Sequence, residues 1–243
     1  MIKEVENWYG RWFDTEYYHI LYRDRDSNEA QLFMDKLTTY LGLGADDEIL
    51  DLACGKGRHS IYLNSLGFDV TGADLSKNSI DFAKQYENET LHFVEHDMCV
   101  PFDKQFDAVF NLFTSFGYFD SDDDNLRALK AIKKNINETG LAVLDFMNVD
   151  QVIPNLVPHE VKMVDGIEFH IERYVENGHI IKEITFTVDG EKRTYIEKVR
   201  SLSLDDFQKY FDKAGIDLLD IFGDYNLGSF KQDSSERLIM VFK

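Results

Sequence analysis

Cysteine, proline and long apolar runs are scarce in this sequence, and each scarcity excludes a class of protein. The 243 residues include only three prolines and two cysteines, Cys54 and Cys99. Two cysteines do not make a disulfide framework, and neither cysteines nor histidines recur at the spacing of metal ligands, so we expect no metal site. No apolar run approaches the about 20 residues of a membrane-spanning helix. The first residues contain acids and no apolar run, which favours a soluble, cytoplasmic protein over a secreted one.

Basic side chains are also few in this chain. It carries 26 lysines and arginines against 45 aspartates and glutamates, which gives a net charge of -19. Such an excess of acids repels phosphate backbones and anionic membrane surfaces, so we expect neither nucleic acid nor a membrane as a partner. The length is sufficient for one large domain with an insertion.

A predicted strand, a glycine turn and a predicted helix follow one another in residues 49–60. The strand contains Asp51, and the turn contains Gly55 and Gly57. This order is typical of a nucleotide-binding crevice, because glycine tolerates positive φ and its missing Cβ lets a ligand approach the backbone. A dinucleotide fingerprint needs a third glycine where Ser60 stands, and no phosphate-binding lysine motif follows the turn. The pattern therefore favours a ligand with a ribose but no pyrophosphate.

Acidic residues end the next two predicted strands. Residues 68–76 form a second strand that ends at Asp74, where a carboxylate can accept both hydroxyls of a ribose. Residues 91–98 form a third strand that ends at Asp97 and Met98. A carboxylate in that place suits an adenine amino group, and the methionine side chain suits the face of the ring. Both acids therefore point to an adenosyl ligand.

A fourth predicted strand, residues 106–113, contains Asn111 and leads into a stretch of small and aromatic residues. Taken in order, these motifs resemble the class I S-adenosylmethionine-dependent methyltransferases over residues 49–147. The resemblance implies S-adenosylmethionine as the cofactor. It also implies an α/β fold, with a Rossmann-like, mostly parallel seven-stranded sheet and helices on both faces. The cofactor contacts implied along the sheet are Asp51, Ala53, Gly55, Gly57, Asp74, Leu75, Asp97, Met98 and Asn111.

A segment ahead of the first strand often folds over the cofactor in the family that this chain resembles. Here that segment is residues 12–25, which is rich in aromatic side chains. The hydroxyl of Tyr18 and the guanidinium of Arg25 suit a carboxylate, so both are candidate cofactor contacts. The alternative is that these aromatic residues form the buried face of an N-terminal helix, and the sequence leaves both interpretations open.

Changes of pattern divide the chain into three predicted parts. These are an N-terminal aromatic and helical cap at 1–44, a Rossmann-like domain at 45–150 and 203–243, and an inserted antiparallel β meander at 151–202. Within the insertion apolar and polar residues alternate, and the pairs at Asn177 and Asp189, each followed by glycine, are typical of hairpin turns. The meander is also a candidate surface for a homodimer.

Methyl transfer from a positively charged sulfur depends mainly on positioning the acceptor and excluding water. The sequence contains no convincing nucleophile, histidine and acid arrangement, in agreement with such a reaction. Tyr118 follows the fourth strand, where the crevice of the sheet should open. Tyr18, Tyr118 and His170 are the candidate catalytic residues.

These observations predict an S-adenosylmethionine-dependent methyltransferase that acts on a small-molecule acceptor. An acidic protein with tyrosines at the mouth of its site favours a cationic amine among such acceptors. One alternative is an NAD(P)-dependent oxidoreductase, against which stand Ser60 and the absence of a Tyr-x-x-x-Lys pair near the strand ends. Another is a non-catalytic, cofactor-binding protein that uses the meander to associate.

Overall fold

Helices and strands alternate through most of the chain. The computed structural model describes residues 8–23 and 27–243, so the predicted contact at Arg25 lies outside the described residues. The helices are α1 (Trp8–Trp12), α2 (Glu16–Leu21), α3 (Ser27–Leu41), α4 (Arg58–Ser65), α5 (Lys77–Ala83), α6 (Asp122–Asn135), α7 (Val149–Val152) and α8 (Leu204–Ala214). The strands are β1 (Glu48–Leu52), β2 (Asp69–Asp74), β3 (Leu91–Glu95), β4 (Phe106–Asn111), β5 (Ile136–Met147), β6 (His159–Val164), β7 (Ile167–Glu176), β8 (His179–Val188), β9 (Glu191–Arg200), β10 (Leu218–Phe222) and β11 (Arg237–Phe242).

Seven strands form one sheet in the order β10-β11-β5-β4-β1-β2-β3. Strand β11 runs antiparallel to both of its neighbours, and the other pairings are parallel. The predicted fold class, with a mostly parallel seven-stranded sheet, is therefore confirmed. Because the chain proceeds from β1 to β3 and then returns to β4, the strand order reverses between β1 and β4. A crevice opens at the carboxyl ends of the strands at such a point.

The sheet is buried on both faces, which explains the nearly continuous apolar runs of its central strands. One cluster of buried residues packs α3, α4 and α5 on one face, and another packs α6 and α8 on the opposite face. Ser76, Ser121 and Ser203 each accept a hydrogen bond from a backbone N–H in the first turn of a helix.

Strand β5 begins earlier than predicted. The sequence pattern indicates a strand from Leu141, whereas the observed strand begins at Ile136, which pairs with Phe106. The register then shifts, and the next pair is Leu141 with Ala108. Gly140 lies in this bulge, where an added Cβ would stand 2.8 Å from the carbonyl oxygens of Phe106 and Asp107. The glycine thus allows close backbone contact inside the strand.

Strands β6 to β9 form a separate antiparallel sheet in sequential order. The two predicted hairpin turns are confirmed, with φ of 49° and 72° at Asn177 and Gly178, and 52° and 78° at Asp189 and Gly190. A third turn of this kind lies at Asp165, which has φ of 50°, and it connects β6 to β7. The alternation of apolar and polar residues in the sequence did not mark the bounds of β6. Positive φ at both central positions gives a turn whose twist matches that of the flanking strands.

The helices α1 and α2 share a core with this second sheet, and we call the two together the cap layer. That core contains Trp8, Trp12, Tyr17, Leu21, Phe169, Ile171, Ile184 and Phe186. Helix α3 instead packs on the seven-stranded sheet, so the region predicted as one N-terminal cap contributes to two cores. The boundaries predicted for the three parts stay predictions. No helix in the described part of the chain is long and apolar enough to cross a membrane.

Candidate functional site

A cavity of about 530 Å³ lies between the carboxyl ends of the central strands and the cap layer. Its volume falls within the range of about 300–1,000 Å³ that is usual for small-molecule sites. The predicted residues in its walls are Tyr18, Asp51, Ala53, Gly55, Asp74, Leu75, Asp97, Met98 and Tyr118. The structure therefore brings residues from four strand ends and the N-terminal helices to one cavity.

The two glycines of the turn after β1 occupy different environments. Both have positive φ, 56° at Gly55 and 79° at Gly57. No atom lies within 4 Å of the place where a Cβ of Gly55 would stand, and this residue lines the cavity. A Cβ on Gly57 would stand 2.5 Å from the ring of Phe93, behind the cavity wall. Gly57 thus allows α4 to pack on β3, and the structure does not bring it to the cavity as predicted.

Asp74 joins the glycine turn to the next helix. Its Oδ2 accepts the backbone N–H of Gly55 at 2.8 Å, and its Oδ1 accepts that of Ser76 at 2.8 Å. Burial raises the pKa of this carboxyl, and the two backbone N–H groups oppose that effect. A carboxylate has about four lone-pair sites, so each oxygen can accept one further hydrogen bond. Asp74 can therefore bind a diol while it holds the turn.

Asp51 is buried within β1 and reaches the cavity. Its Oδ2 accepts the hydroxyl of Ser60 at 2.6 Å. Burial raises the pKa of Asp51 to about 7, and the hydrogen bond from Ser60 opposes this shift. Ser60 stands where a dinucleotide fingerprint has a glycine, and its hydroxyl satisfies the buried acid. Ser60, whose presence in the sequence disfavours a pyrophosphate ligand, is thus also the hydrogen-bond partner of Asp51.

The third and fourth strand ends contribute unequally to the cavity. Asp97 and Met98 lie in its wall, and Asp97 accepts the backbone N–H of Cys99 at 2.9 Å. Asn111 is fully buried and donates to the carbonyl of Leu52 at 3.2 Å, behind the wall. The structure thus does not bring Asn111 to the cavity, because a strand residue that points into the sheet core cannot face the crevice beyond the strand end.

Aromatic side chains form the wall contributed by the cap layer and the loop after β4. Ring centroids are 4.9 Å apart for Phe13 and Tyr18, and 5.3 Å apart for Trp8 and Tyr118. The hydroxyl of Tyr118 donates to the carbonyl of Thr114 at 2.6 Å. Both candidate tyrosines therefore belong to one aromatic wall of the cavity, in which each ring packs against Phe13.

His170 lies apart from these residues. It is on β7, exposed, and its Nε2 is 2.8 Å from Glu168 on the outer face of the second sheet. Its neighbours Phe169 and Ile171 are buried, so the alternation of the strand turns His170 outward. The structure therefore does not bring His170, one of the candidate catalytic residues, to this cavity.

Glu197 on β9 and His19 on α2 line the cavity without having been predicted. Glu197 Oε1 accepts the indole N–H of Trp12 at 2.7 Å and the hydroxyl of Tyr22 at 2.6 Å. Burial and the nearby charge of Lys56 lower the pKa of His19 to about 4, so its ring is neutral at neutral pH. The alternation within the insertion was the only sequence signal for Glu197, and it does not identify the partner surface.

A strained turn follows β4 and forms part of the cavity wall. Phe113 and Thr114 have φ of 58° and 60°, a conformation that costs non-glycine residues free energy. The buried carboxylate of Asp145 accepts the backbone N–H of Phe113 at 2.7 Å, and its carbonyl accepts that of Thr114 at 3.0 Å. Arg237 pairs with Asp145 at 2.7 Å and donates to Thr114 Oγ1 at 2.8 Å. This network holds the turn, and the sequence did not indicate it.

Known methyltransferases are similar to this chain in sequence. Residues 49–140 match the sequence model of a family described as a methyltransferase domain. The YqeM protein of Bacillus subtilis is 38% identical over 101 residues, which are 40% of this chain and 41% of that protein. The chain thus spans about two fifths of the length of that relative. A glycine/sarcosine N-methyltransferase of Halorhodospira halochloris is 26% identical over 232 residues, with 91% of this chain and 81% of that protein covered.

A solved structure has the same fold over nearly the whole chain. It is an S-adenosylmethionine-dependent methyltransferase from Clostridium acetobutylicum, with a TM-score of 0.79 and 21% sequence identity. The likeness covers 93% of this chain and 95% of that one, so it extends well beyond the seven-stranded sheet.

Proposed function

We propose that this chain is a class I S-adenosylmethionine-dependent methyltransferase that transfers a methyl group to a small-molecule amine. The observation that carries the proposal is the joining of two unlike surfaces in one cavity. One consists of a glycine turn and strand-end acids, and the other of aromatic rings with Glu197 among them. The name of the Halorhodospira relative, a glycine/sarcosine N-methyltransferase, supports nitrogen as the acceptor atom.

The cavity residues at and just after the carboxyl ends of β1, β2 and β3, which we call the sheet side, fit an adenosyl cofactor. Gly55 leaves open space where a side chain would stand, and Asp74 keeps acceptor capacity for the hydroxyls of a ribose. Asp97 and Met98 lie at the next strand end, where they suit an adenine ring. When bound, the cofactor supplies a methyl group on a positively charged sulfur. We propose these residues, with Asp51, Ala53, Leu75 and Tyr18, as its contacts.

The residues of the cap layer would position the acceptor and keep water away from it. The rings of Trp8, Phe13, Tyr18 and Tyr118 enclose that part of the cavity, and enclosure of this kind replaces water with a fixed environment. His19 is a weak base because its pKa is lowered to about 4. Positioning is thus the contribution that the described residues suit best, and Tyr18 and Tyr118 remain the candidate catalytic residues.

Calorimetric titration with S-adenosylmethionine and the variant Asp74→Asn test the cofactor assignment. We expect the wild type to bind and the variant to bind at least tenfold more weakly, since a hydrogen bond to a charged group is worth about 1.5–3 kcal/mol. Glu95→Gln is the matched control, because Glu95 pairs with Asp74 in the sheet register but is exposed and outside the cavity wall. Binding of NADH without binding of S-adenosylmethionine would favour the oxidoreductase alternative instead.

Turnover is tested separately from binding. We expect methylated products by mass spectrometry when small amines are supplied with S-adenosylmethionine. Cofactor binding without turnover of any amine, alcohol or acid would favour a non-catalytic binding protein. A homodimer through β6 to β9, the absence of a nucleic-acid partner and a cytoplasmic location stay predictions, and sedimentation analysis of the purified chain tests the first.

A further inference from the structure

Glu197 has an unusual place in the cavity. Among the described residues that the cap layer contributes to the wall, it is the only acid. It lies in the middle of β9, on the same face as Val199, which also lines the cavity. The side chain is 18% exposed, so its carboxylate is mostly withdrawn from water. A carboxylate in such a place needs partners, because burial of an unpaired charge is costly.

The partners of Glu197 orient its carboxylate without closely pairing its charge. Trp12 and Tyr22 are neutral donors, and both contact the same oxygen, Oε1. The other oxygen, Oε2, lies 3.6 Å from Lys182 Nζ, beyond the usual length of a hydrogen bond. Lys182 also donates to the hydroxyl of Tyr22 and lies outside the cavity wall. The carboxylate of Glu197 is therefore held in one orientation by two neutral donors, and its charge forms a long ion pair with Lys182 outside the cavity wall.

The surroundings of Glu197 favour a cation over an anion. Trp8, Phe13 and Tyr18 line the same part of the cavity, and the ring centroids of Phe13 and Tyr18 are 4.9 Å apart. Aromatic faces attract a cation within about 6 Å of the ring centroid. A carboxylate among such rings provides both an ion-pair partner and an apolar enclosure for an ammonium group, whereas an anionic group would meet a like charge.

We infer that Glu197 is a specificity-determining residue that binds the nitrogen of the acceptor and selects amines that are cationic at neutral pH. The inference rests on the proposed function and adds to it the group that recognises the substrate class. An ammonium has no lone pair until one N–H proton leaves for the solvent, and a carboxylate accepts hydrogen bonds from the N–H groups of both the ammonium and the free amine, so the contact persists once the reactive free amine forms. Uncharged acceptors of the same shape gain less from this contact.

Glu197→Gln tests the inference, because its amide oxygen can still accept from Trp12 and Tyr22 while the charge is lost. With benzylamine and ethanolamine as probes, we expect KM to rise at least tenfold. We expect kcat to change less, and the dissociation constant of S-adenosylmethionine to stay within twofold of the wild type. Direct titration of benzylamine and of benzyl alcohol into the cofactor-product complex should show a loss of affinity for the amine alone.

Two further variants make the result specific. Glu168→Gln removes the same charge from the outer face of the same sheet, where Glu168 is exposed, so amine KM should not change. Lys182→Met removes the loose counter-charge, so amine affinity should rise, and it tests the inference even if Glu197→Gln does not fold. Unchanged amine KM in Glu197→Gln with wild-type turnover of amines would overturn the inference alone. A wild type that turns over only uncharged acceptors would overturn the amine part of the proposed function as well.

Discussion

The two sides of the cavity are built in different ways. On the sheet side, Asp51, Gly55 and Asp74 come from neighbouring strand ends, and backbone N–H groups hold the acid in place. On the cap side, Glu197 contacts Trp12 and Tyr22, which are 185 and 175 residues away in the chain. The first side depends on backbone groups of two successive strand–turn–helix units. The second depends on side chains that meet only when two distant segments share a core.

This difference is consistent with different roles for the two sides, cofactor binding on the sheet side and acceptor binding on the cap side. A cofactor that is common to a family needs a constant surface, and backbone groups supply one with little dependence on the rest of the chain. An acceptor that differs among relatives needs a surface that can change, and side chains on an inserted sheet can change without disturbing the main sheet. Variants on the two sides should therefore have separable effects on stability, cofactor binding and acceptor binding.

The largest effect should come from the support beneath the sheet side. Asp145→Ala leaves the buried guanidinium of Arg237 without its carboxylate and removes the acceptor for the N–H of Phe113. Loss of one partner of a buried ion pair costs about 3–5 kcal/mol, so urea denaturation should show a fall of that order in the free energy of unfolding. Asp120→Ala is the control, because Asp120 is exposed and pairs with Lys198, and such pairs contribute about 0–1 kcal/mol. Equal losses in the two variants would contradict the role assigned to Asp145.

Substitutions of the two glycines in the turn after β1 should affect protein stability and cofactor binding to different degrees. In Gly57→Ala the new Cβ meets Phe93, and such overpacking costs about 1–3 kcal/mol in addition to the strain of a positive φ. Gly55→Ala incurs only the strain, about 1–2 kcal/mol, and its methyl group projects into the space proposed for the cofactor. Thermal unfolding should therefore show the larger loss in Gly57→Ala, and calorimetry the weaker cofactor binding in Gly55→Ala. Similar unfolding temperatures in the two variants would argue against this distinction.

The smallest effect is the pH dependence of cofactor binding. The pKa of Asp51 is raised to about 7, and a cationic ligand in the cavity favours the ionised carboxylate. One pH unit below its pKa a carboxyl is only about a tenth ionised, so affinity for S-adenosylmethionine should be roughly tenfold weaker at pH 6 than at pH 8. Asp51→Asn should bind more weakly at pH 8 and lose this dependence. If the variant keeps the same pH profile, another group is responsible.

The same shift predicts a stability effect of opposite direction in the free protein. Because the folded-state pKa of Asp51 lies above its ordinary value, the ionised carboxyl destabilises the fold, and stability falls as the pH rises through about 7. Asp51→Asn should therefore raise the unfolding temperature at pH 8 and have little effect near pH 4. Thermal scans at both pH values without ligand check this expectation.

Much of the sheet side could be predicted from the sequence, whereas the exact role of each residue could not. The pattern placed Asp51 in the first strand, Gly55 in the turn after it, and Asp74 and Asp97 at the ends of the next two strands. All four line the cavity. It gave Gly57 the same role, although the ring of Phe93, distant in the chain, makes it a packing residue. A glycine with positive φ looks alike in both cases, because the sequence does not show which atom would meet its Cβ.

The order of strand, turn and helix decided the sheet side of this protein, because parallel strands bring their carboxyl ends to one edge of the sheet. Acids such as Asp74 at those ends therefore meet there whatever follows in the chain. The cap side was decided only by the tertiary structure. The alternation of apolar and polar residues indicated that the side chains of β9 point to two opposite faces of the sheet. The packing of α1 and α2 on that sheet determined that Glu197 faces the cavity and that His170 faces outward. Such contacts depend on long-range burial, which no local pattern contains.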